Sequence, residues 1–320
     1  MLDKIMFYLL GIILASCISA RAETLKLTTP KLGSMEQMVL SMQNHFPRIA
    51  KKYNIKYDKI EIIYTRGSVE ALQNLMQEQT HLNIASLPAV ISLHTKSPGQ
   101  LQFLSMFVRS DGPVVCKPYV TSIEDIKKNN RSIIIAGKQS GSHLTLMSIG
   151  KNYFKDPLAL ENQIVLMGQE QALQAFATGT KGIDCAVMGA PISNQLVEMG
   201  NKVIYNDENL PGFLSAAVIN ANWAKQNPDA AKALLETIKF AKDEYNQNML
   251  VTAQRMVDAH KLDLSAETIV KYYKERNIKG VTDFTTETMN WLRFTEEVGM
   301  LPPGSLQNFD KGLIWRKDLL

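Results

Sequence analysis

The sequence predicts an α/β fold of two similar lobes, each a mostly parallel sheet flanked by helices, followed by a helical C-terminal region. Three observations predict it. The stretch Ile60 to Ile91 reads as strand, Gly-Ser turn, amphipathic helix, strand and turn. Strand-helix-strand at this length implies a parallel pair joined by a right-handed crossover. The same text returns without a gap from Ile164 to Ile192, where Ile63, Gly67, Ala71, Leu72, Gln73, Ala85, Ala89 and Ile91 meet Ile164, Gly168, Ala172, Leu173, Gln174, Ala186, Ala190 and Ile192. Upstream, Leu27 to Gln37 pairs with Ile135 to Thr145, so that Gly33-Ser34 meets Gly141-Ser142. Self-similarity of this kind points to duplicated supersecondary units.

The chain has 320 residues and a net charge of +4, dispersed rather than clustered, which argues against a nucleic-acid partner. Met1 to Ala22 reads as a signal peptide: Lys4 in the n-region, Ile5 to Ala15 apolar, and Ala20-Arg21-Ala22 as the cleavage site. Leu14-Ala15-Ser16-Cys17 competes as a lipobox that would leave a lipoprotein anchored at Cys17. Cleavage after Ala22 is favoured, because the first strand begins near Leu25 and leaves almost no tether. On either reading the protein is exported. Cys116 and Cys185 then leave two possibilities, a disulfide or two buried thiols, and their apolar strands favour the second. They are not spaced as a metal site, and no cofactor motif accompanies them.

Leu25 to Leu27 is the first strand and Thr28 to Ser34 a loop. Met35 to Tyr53 is a helix, with Met38, Val39, Met42, Phe46 and Ile49 on one face and Pro47 as a potential interruption. In the repeat unit that follows, Ser68 is the expected N-cap of a helix carrying Val69, Leu72, Leu75 and Met76. Leu101 to Val108 is a strand, and Arg109 to Gly112 breaks the pattern as a crossing between lobes. Ser122 to Lys128 is a short capped helix, Ser132 to Ala136 a strand, and a helix opens at His143. Asn206 to Gly212 reads as the second crossing, and Phe213 to Ile219 returns to the first lobe. Helices follow at Ala230 to Asn246, Met249 to His260, Ser265 to Arg276 and Thr285 to Val298. The expected division is residues 23–109 plus 213–320 for one lobe and 113–206 for the other, with hinges at about 109–112 and 207–212.

In order, GSVEALQNL with HLNIASLPAVI, SIEDIKKNNRSIIIAGKQSGSHLTLM, GTKGIDCAVMGAPISNQL and NPDAAKALLETI resemble the periplasmic substrate-binding proteins of ABC importers. The branch resembled is the one that binds nitrate, taurine, alkanesulfonates and thiamine-pyrimidine precursors. The chain departs from it at Met188-Gly189-Ala190-Pro191, where many relatives carry a bulky aromatic and an acid before Pro. The resemblance implies a two-lobed periplasmic-binding-protein type II fold. It implies an exported, periplasmic monomer that captures a small anionic organic ligand (sulfonate-, carboxylate- or pyrimidine-like) and passes it to a transporter permease. The thiamine-pyrimidine synthase type of enzyme shares the fold but carries a Cys-rich motif that is missing here, and no nucleophile triad is evident. An exported ligand sensor is the third reading.

Such a cleft is lined by loops at the carboxyl ends of parallel strands. The expected ligand-binding residues are therefore Lys31, Ser34, Gly67, Ser68, Ser86, Lys138, Ser140, Gly141, Ser142, His143, Met188, Gly189 and Gly212. Serines at helix starts add a hydroxyl to backbone N–H groups that attract an anion. A lone Gly-Ser pair is more often plain helix capping, but three in corresponding places tilt toward an anion site, most strongly at Gly141-Ser142. Lys31 and Lys138 sit in corresponding loops, as anion partners or as solvated surface charge. Met167 and Met188 lie near the cleft, with packing the favoured role.

Overall fold

The computed structural model describes residues 23–33, 35–206, 213–280 and 286–306. The first half of the chain gives β1 (Glu23–Pro30), α1 (Glu36–Lys52), β2 (Tyr57–Thr65), α2 (Ser68–Met76), β3 (Leu82–Ser86), α3 (Leu87–Lys96) and β4 (Leu101–Ser110). Next come β5 (Val114–Cys116), α4 (Ile123–Lys128), β6 (Ile133–Ile135), α5 (Gly141–Phe154), β7 (Ile164–Leu166), α6 (Gln169–Ala177), β8 (Cys185–Val187), α7 (Ile192–Glu198) and β9 (Lys202–Tyr205). The chain finishes with β10 (Phe213–Asn220), α8 (Ala221–Gln226), α9 (Pro228–Gln247), α10 (Met249–His260), α11 (Ala266–Glu275), β11 (Lys279–Gly280) and α12 (Thr286–Glu297).

Two sheets result, ordered β11-β4-β10-β3-β1-β2 and β7-β6-β8-β5-β9. In the first, β1, β2 and β3 are parallel, and β10 runs antiparallel between β3 and β4. In the second, β6, β7 and β8 are parallel, and β5 runs antiparallel between β8 and β9. The two sheets thus share one order, β2-β1-β3-β10-β4 matching β7-β6-β8-β5-β9. The antiparallel strand comes, in each, from the segment that has just passed over from the other sheet. This is the duplication that the repeated text implies. Helices α2 and α6 are both nine residues long and begin at Ser68 and Gln169, the same offset that separates Ile63 from Ile164.

Apolar periodicity places the core. Leu25, Leu27, Met38, Met42, Phe46, Ile84, Phe107, Leu234, Ile238, Tyr245 and Tyr273 bury one face of the first sheet under α1 and the C-terminal helices. Val114, Cys116, Ile123, Ile126, Ile133, Ile135, Leu146 and Ile149 form the matching core of the second. Pro47 lies inside α1 without ending it. Beta1 runs through Pro30 and β4 through Ser110, so both extend further than hydrophobic pattern alone suggests.

Cys116 and Cys185 form a disulfide, the alternative that the sequence favoured less. They stand directly opposite one another in the antiparallel β5–β8 pair, which brings two otherwise ordinary apolar positions together. The signal-peptide reading of residues 1–22 and the second crossing at 207–212 lie outside the described residues. Among the described residues no helix is long and apolar enough to cross a membrane.

Candidate functional site

Between the two sheets lies a cavity of about 570 Å³, walled by loops at the carboxyl ends of strands from both lobes. This volume is typical of a small-molecule site. From the first lobe come Pro30 at the end of β1 and Gly33 beyond it, Arg66 to Glu70 after β2, and Ser86 at the end of β3. From the second come Ala136 to Lys138 and Ser140 to Ser142 after β6, Leu166 to Gln169 from the end of β7, and Val187 to Gly189 from the end of β8. The surface of the wall is mostly apolar, with Met35, Val69, Val108, Leu166, Met167, Met188 and Leu214 contributing to it.

Three helices open onto this space. Their first N–H groups have no partner within the helix and carry the positive end of its dipole. Helix α5 begins at Gly141 rather than at His143, because Ser140 caps it: the Ser140 hydroxyl accepts from the His143 N–H at 3.3 Å. Ser142 is therefore in the first turn, nearly buried, its hydroxyl 2.8 Å from that of Ser140. Helix α2 is capped by Gly67, not by Ser68. The Ser68 hydroxyl instead accepts from the Ser86 N–H at 2.8 Å and ties the end of β3 to the start of α2. Helix α6 starts after Gly168, whose N–H donates to the Gln171 side chain at 3.2 Å.

The two walls touch. The Ser86 hydroxyl donates to the carbonyl of Gln139 at 3.1 Å, and the Gln139 side-chain amide donates to Ser92 at 3.1 Å. A Cβ on Gly67 would stand 3.3 Å from the Ala136 carbonyl, so glycine is what permits this approach.

Of the expected residues, Gly67, Ser68, Ser86, Lys138, Ser140, Gly141, Ser142, Met188 and Gly189 line the cavity. Ser34 and Gly212 lie outside the described residues. Lys31 and Lys138 each take an acidic side chain of the protein: Lys31 pairs across the cleft with Glu170 at 2.5 Å, and Lys138 with Glu161. Arg66 likewise meets Glu70 at 3.4 Å. His143 turns away from the space. Its Nδ1 accepts from the Gln139 N–H at 3.2 Å and its Nε2 lies 3.1 Å from Glu161. Burial pushes the His143 imidazole below its ordinary value, outweighing the glutamate beside it. Glu161 is raised by partial burial, but the hydrogen bonds from Lys138 and His143 prevail and hold it below the usual carboxylate range.

The sequence pointed mainly to serines, lysines and glycines at the strand ends and so passed over the apolar Met35, Val69, Val108, Leu166 and Leu214 and the polar Gln73, Gln169, Gln171 and Ser215, all of which line the cavity. The repeat carried a signal for some of them. Gln169 occupies in the second unit the place that Ser68 holds in the first. Met167 and Met188, read mainly as packing residues, both reach the cavity wall. Among the described residues no group of three or more His, Cys, Asp or Glu could hold a metal.

No family model matches the sequence, and no curated protein matches it. Solved structures do. A Candida albicans gene product described as having the generic periplasmic binding protein fold superposes with a TM-score of 0.70 at 14% identity, over 91% of this chain and 95% of that one. The alkanesulfonate-binding protein of Xanthomonas axonopodis, bound to MOPS, gives 0.67 at 14% identity, over 87% and 94%. The periplasmic nitrate-binding protein of Synechocystis gives 0.69 at 15%, over 92% and 86%. With its two pseudo-equivalent sheets and the cavity between them, the chain has the periplasmic binding protein fold.

Proposed function

We propose that this protein is an exported binding protein that captures a small organic molecule bearing one acidic group and presents it to an ABC importer. The observation that carries the reading is the convergence of α2, α5 and α6, by their N-termini, on one largely apolar cavity. Helix N-termini favour an anion without needing a cationic side chain. That fits a cleft whose Lys31, Arg66 and Lys138 already face glutamates. The apolar remainder suits an alkyl or aryl body, and about 570 Å³ is far more than an inorganic anion of roughly water size would fill. Similar proteins described as binding alkanesulfonate and nitrate support the acidic group, and the departure at Met188-Gly189-Ala190-Pro191 supports a different body.

Residues 23–109 with 213–320, and residues 113–206, are the two moving bodies in this reading, swinging about 109–112 and 207–212. Residues 1–22 direct export, with cleavage after Ala22. Binding rather than catalysis is the role assigned to the cleft, and the protein acts as a monomer. A thermal-shift screen of sulfonates, carboxylates and neutral analogues tests the assignment. A ligand at a hundredfold excess over its Kd stabilises by about 2.7 kcal/mol. Acids are expected to raise Tm and, in solution scattering, to shrink the radius of gyration. Stabilisation by neutral analogues alone, or with no compaction, rejects it.

A further inference from the structure

The segment Lys138 to Ser140 is a wall with two sides. Lys138 and Ser140 line the main cavity, and Gln139 between them does not. Gln139 instead lines a second cavity of about 360 Å³, with Leu72, Met76, Ala89 and Leu93 as its apolar surface. Val69 and Gln73, one helical turn apart on α2, belong to both cavities. The two spaces are therefore neighbours along one face of α2, meeting at Val69 and Gln73, with Gln139 on the recess side of that boundary.

Gln139 is fixed in that place from three directions. Its carbonyl accepts from Ser86, its side-chain amide donates to Ser92, and its N–H donates to His143. Its backbone is left-handed, at a φ of 60°, a region that costs an ordinary side chain energy and that persists only when neighbours enforce it. Ser86 and Ser92 flank or lie within α3, on the first lobe, whereas Gln139 follows β6 on the second. The wall is complete only when the two lobes meet.

We infer that Gln139 is a specificity-determining residue, one that sets the length of the ligand body by closing the main cavity off from the apolar recess beside it. The inference rests on the proposed function, an acidic head with an apolar body in the main cavity. A body extending past Val69 and Gln73 runs into the Gln139 side chain on the recess side of that boundary, and the recess is then unused. With the side chain gone, the recess of Leu72, Met76, Ala89 and Leu93 becomes continuous with the site and accepts further methylene groups. Glycine is the apt replacement, since it adopts the left-handed backbone without strain.

The test uses straight-chain alkanesulfonates of increasing length, titrated calorimetrically into the full mature protein. While the chain still finds apolar surface, each added methylene is expected to tighten binding about fourfold, the equivalent of about 0.8 kcal/mol per buried CH₂. In the wild type the gain stops at the length that fills the main cavity. In Gln139→Gly the gain continues, so that the tightest-binding homologue is longer. Adding Leu93→Trp, which fills the recess alone, is expected to return the optimum to the wild-type length. Circular dichroism and a thermal melt establish that each variant is folded. A folded Gln139→Gly protein with an unchanged optimum, or with all binding lost, overturns the inference while leaving the functional reading intact. A wild type that binds no homologue of any length overturns the inference, and the functional reading with it when the carboxylates of the thermal-shift screen fail as well.

Discussion

The carboxyl group of Glu36, wholly buried at the start of α1, lies 2.5 Å from Nε2 of His260, the last residue of α10. Its other oxygen accepts from the Leu32 N–H at 2.5 Å. Leu32 has a left-handed backbone, at a φ of 56°, and leads into Gly33 at the cavity wall. One buried pair thus joins the C-terminal helical region to the first loop of the cleft.

His260→Ala removes one partner of this buried acid and leaves it the Leu32 N–H and the nearby Tyr64 hydroxyl. Breaking a buried pair in this way costs about 3 kcal/mol. Glu36→Gln keeps an acceptor for Leu32 and is expected to cost less. Urea unfolding is the measurement for both. Ligand affinity should fall with stability in His260→Ala, because the loop at Leu32 loses its anchor. Equal stability of His260→Ala and wild type would show that α10 is not holding this loop.

His143 supplies a second dependence, on pH. Its Nδ1 accepts from the Gln139 N–H, so Nε2 carries the proton and donates to Glu161. Burial keeps the folded-state value below the ordinary 6.5. As pH falls through about 6.5 the unfolded chain takes up a proton that the folded protein resists, and stability declines. Glu161 acts with the same sign at lower pH: its value is depressed below 4.5, so its contribution is present above that and is lost as pH falls through the folded value. Melting temperatures taken from about pH 8 down to about pH 5 should therefore decrease, and His143→Gln should flatten the upper part of the decline. Protonation also destroys the acceptor at Nδ1 that Gln139 relies on. A variant with an undiminished slope would put the titrating group elsewhere.

The repeat made much of this architecture legible in advance. Local patterning located α2 and α6, α10 and α11, and the parallel strands around them, because one buried face imposes its period on the sequence. The shared offset even extends to β4 and β9, which begin at Leu101 and Lys202. What stayed illegible depends on contacts distant along the chain. Glu36 and His260 are 224 positions apart, and Lys31 and Glu170 are 139 apart. Nothing local distinguishes a lysine that meets a glutamate across a cleft from one that waits for a ligand. The expected cap at Ser122 is present, whereas those at the two Gly-Ser pairs failed for a nearer reason. Gly-Ser reads the same at Gly67-Ser68 and Gly141-Ser142, yet in one the glycine is the cap and in the other the residue before it is. Which residue caps depends on where the preceding strand ends, and that is set by the sheet.

The anion reading of the α5 terminus has its own test in Ser142. The residue is 3% exposed, in the first turn of α5, and lines the cavity. Ser140, not Ser142, caps the helix, so replacing Ser142 leaves the cap in place. Ser142→Ala removes one hydroxyl, and with it a hydrogen bond worth about 1 kcal/mol, or roughly fivefold in affinity. Ser142→Asp puts a carboxylate where the head of the ligand is held. An acidic side chain in a first turn is favourable to the helix, so folding is expected to survive. Two like charges a few ångströms apart in a poorly solvated cleft, by contrast, repel by about 4 kcal/mol. The order of affinity for an acidic ligand should be wild type, then Ala, then Asp, with Asp weaker by about a thousandfold and all three melting at similar temperatures. Isothermal titration with the best acid from the screen measures it. If Ser142→Asp binds that acid as tightly as wild type does, the head of the ligand is held at α2 or α6 instead.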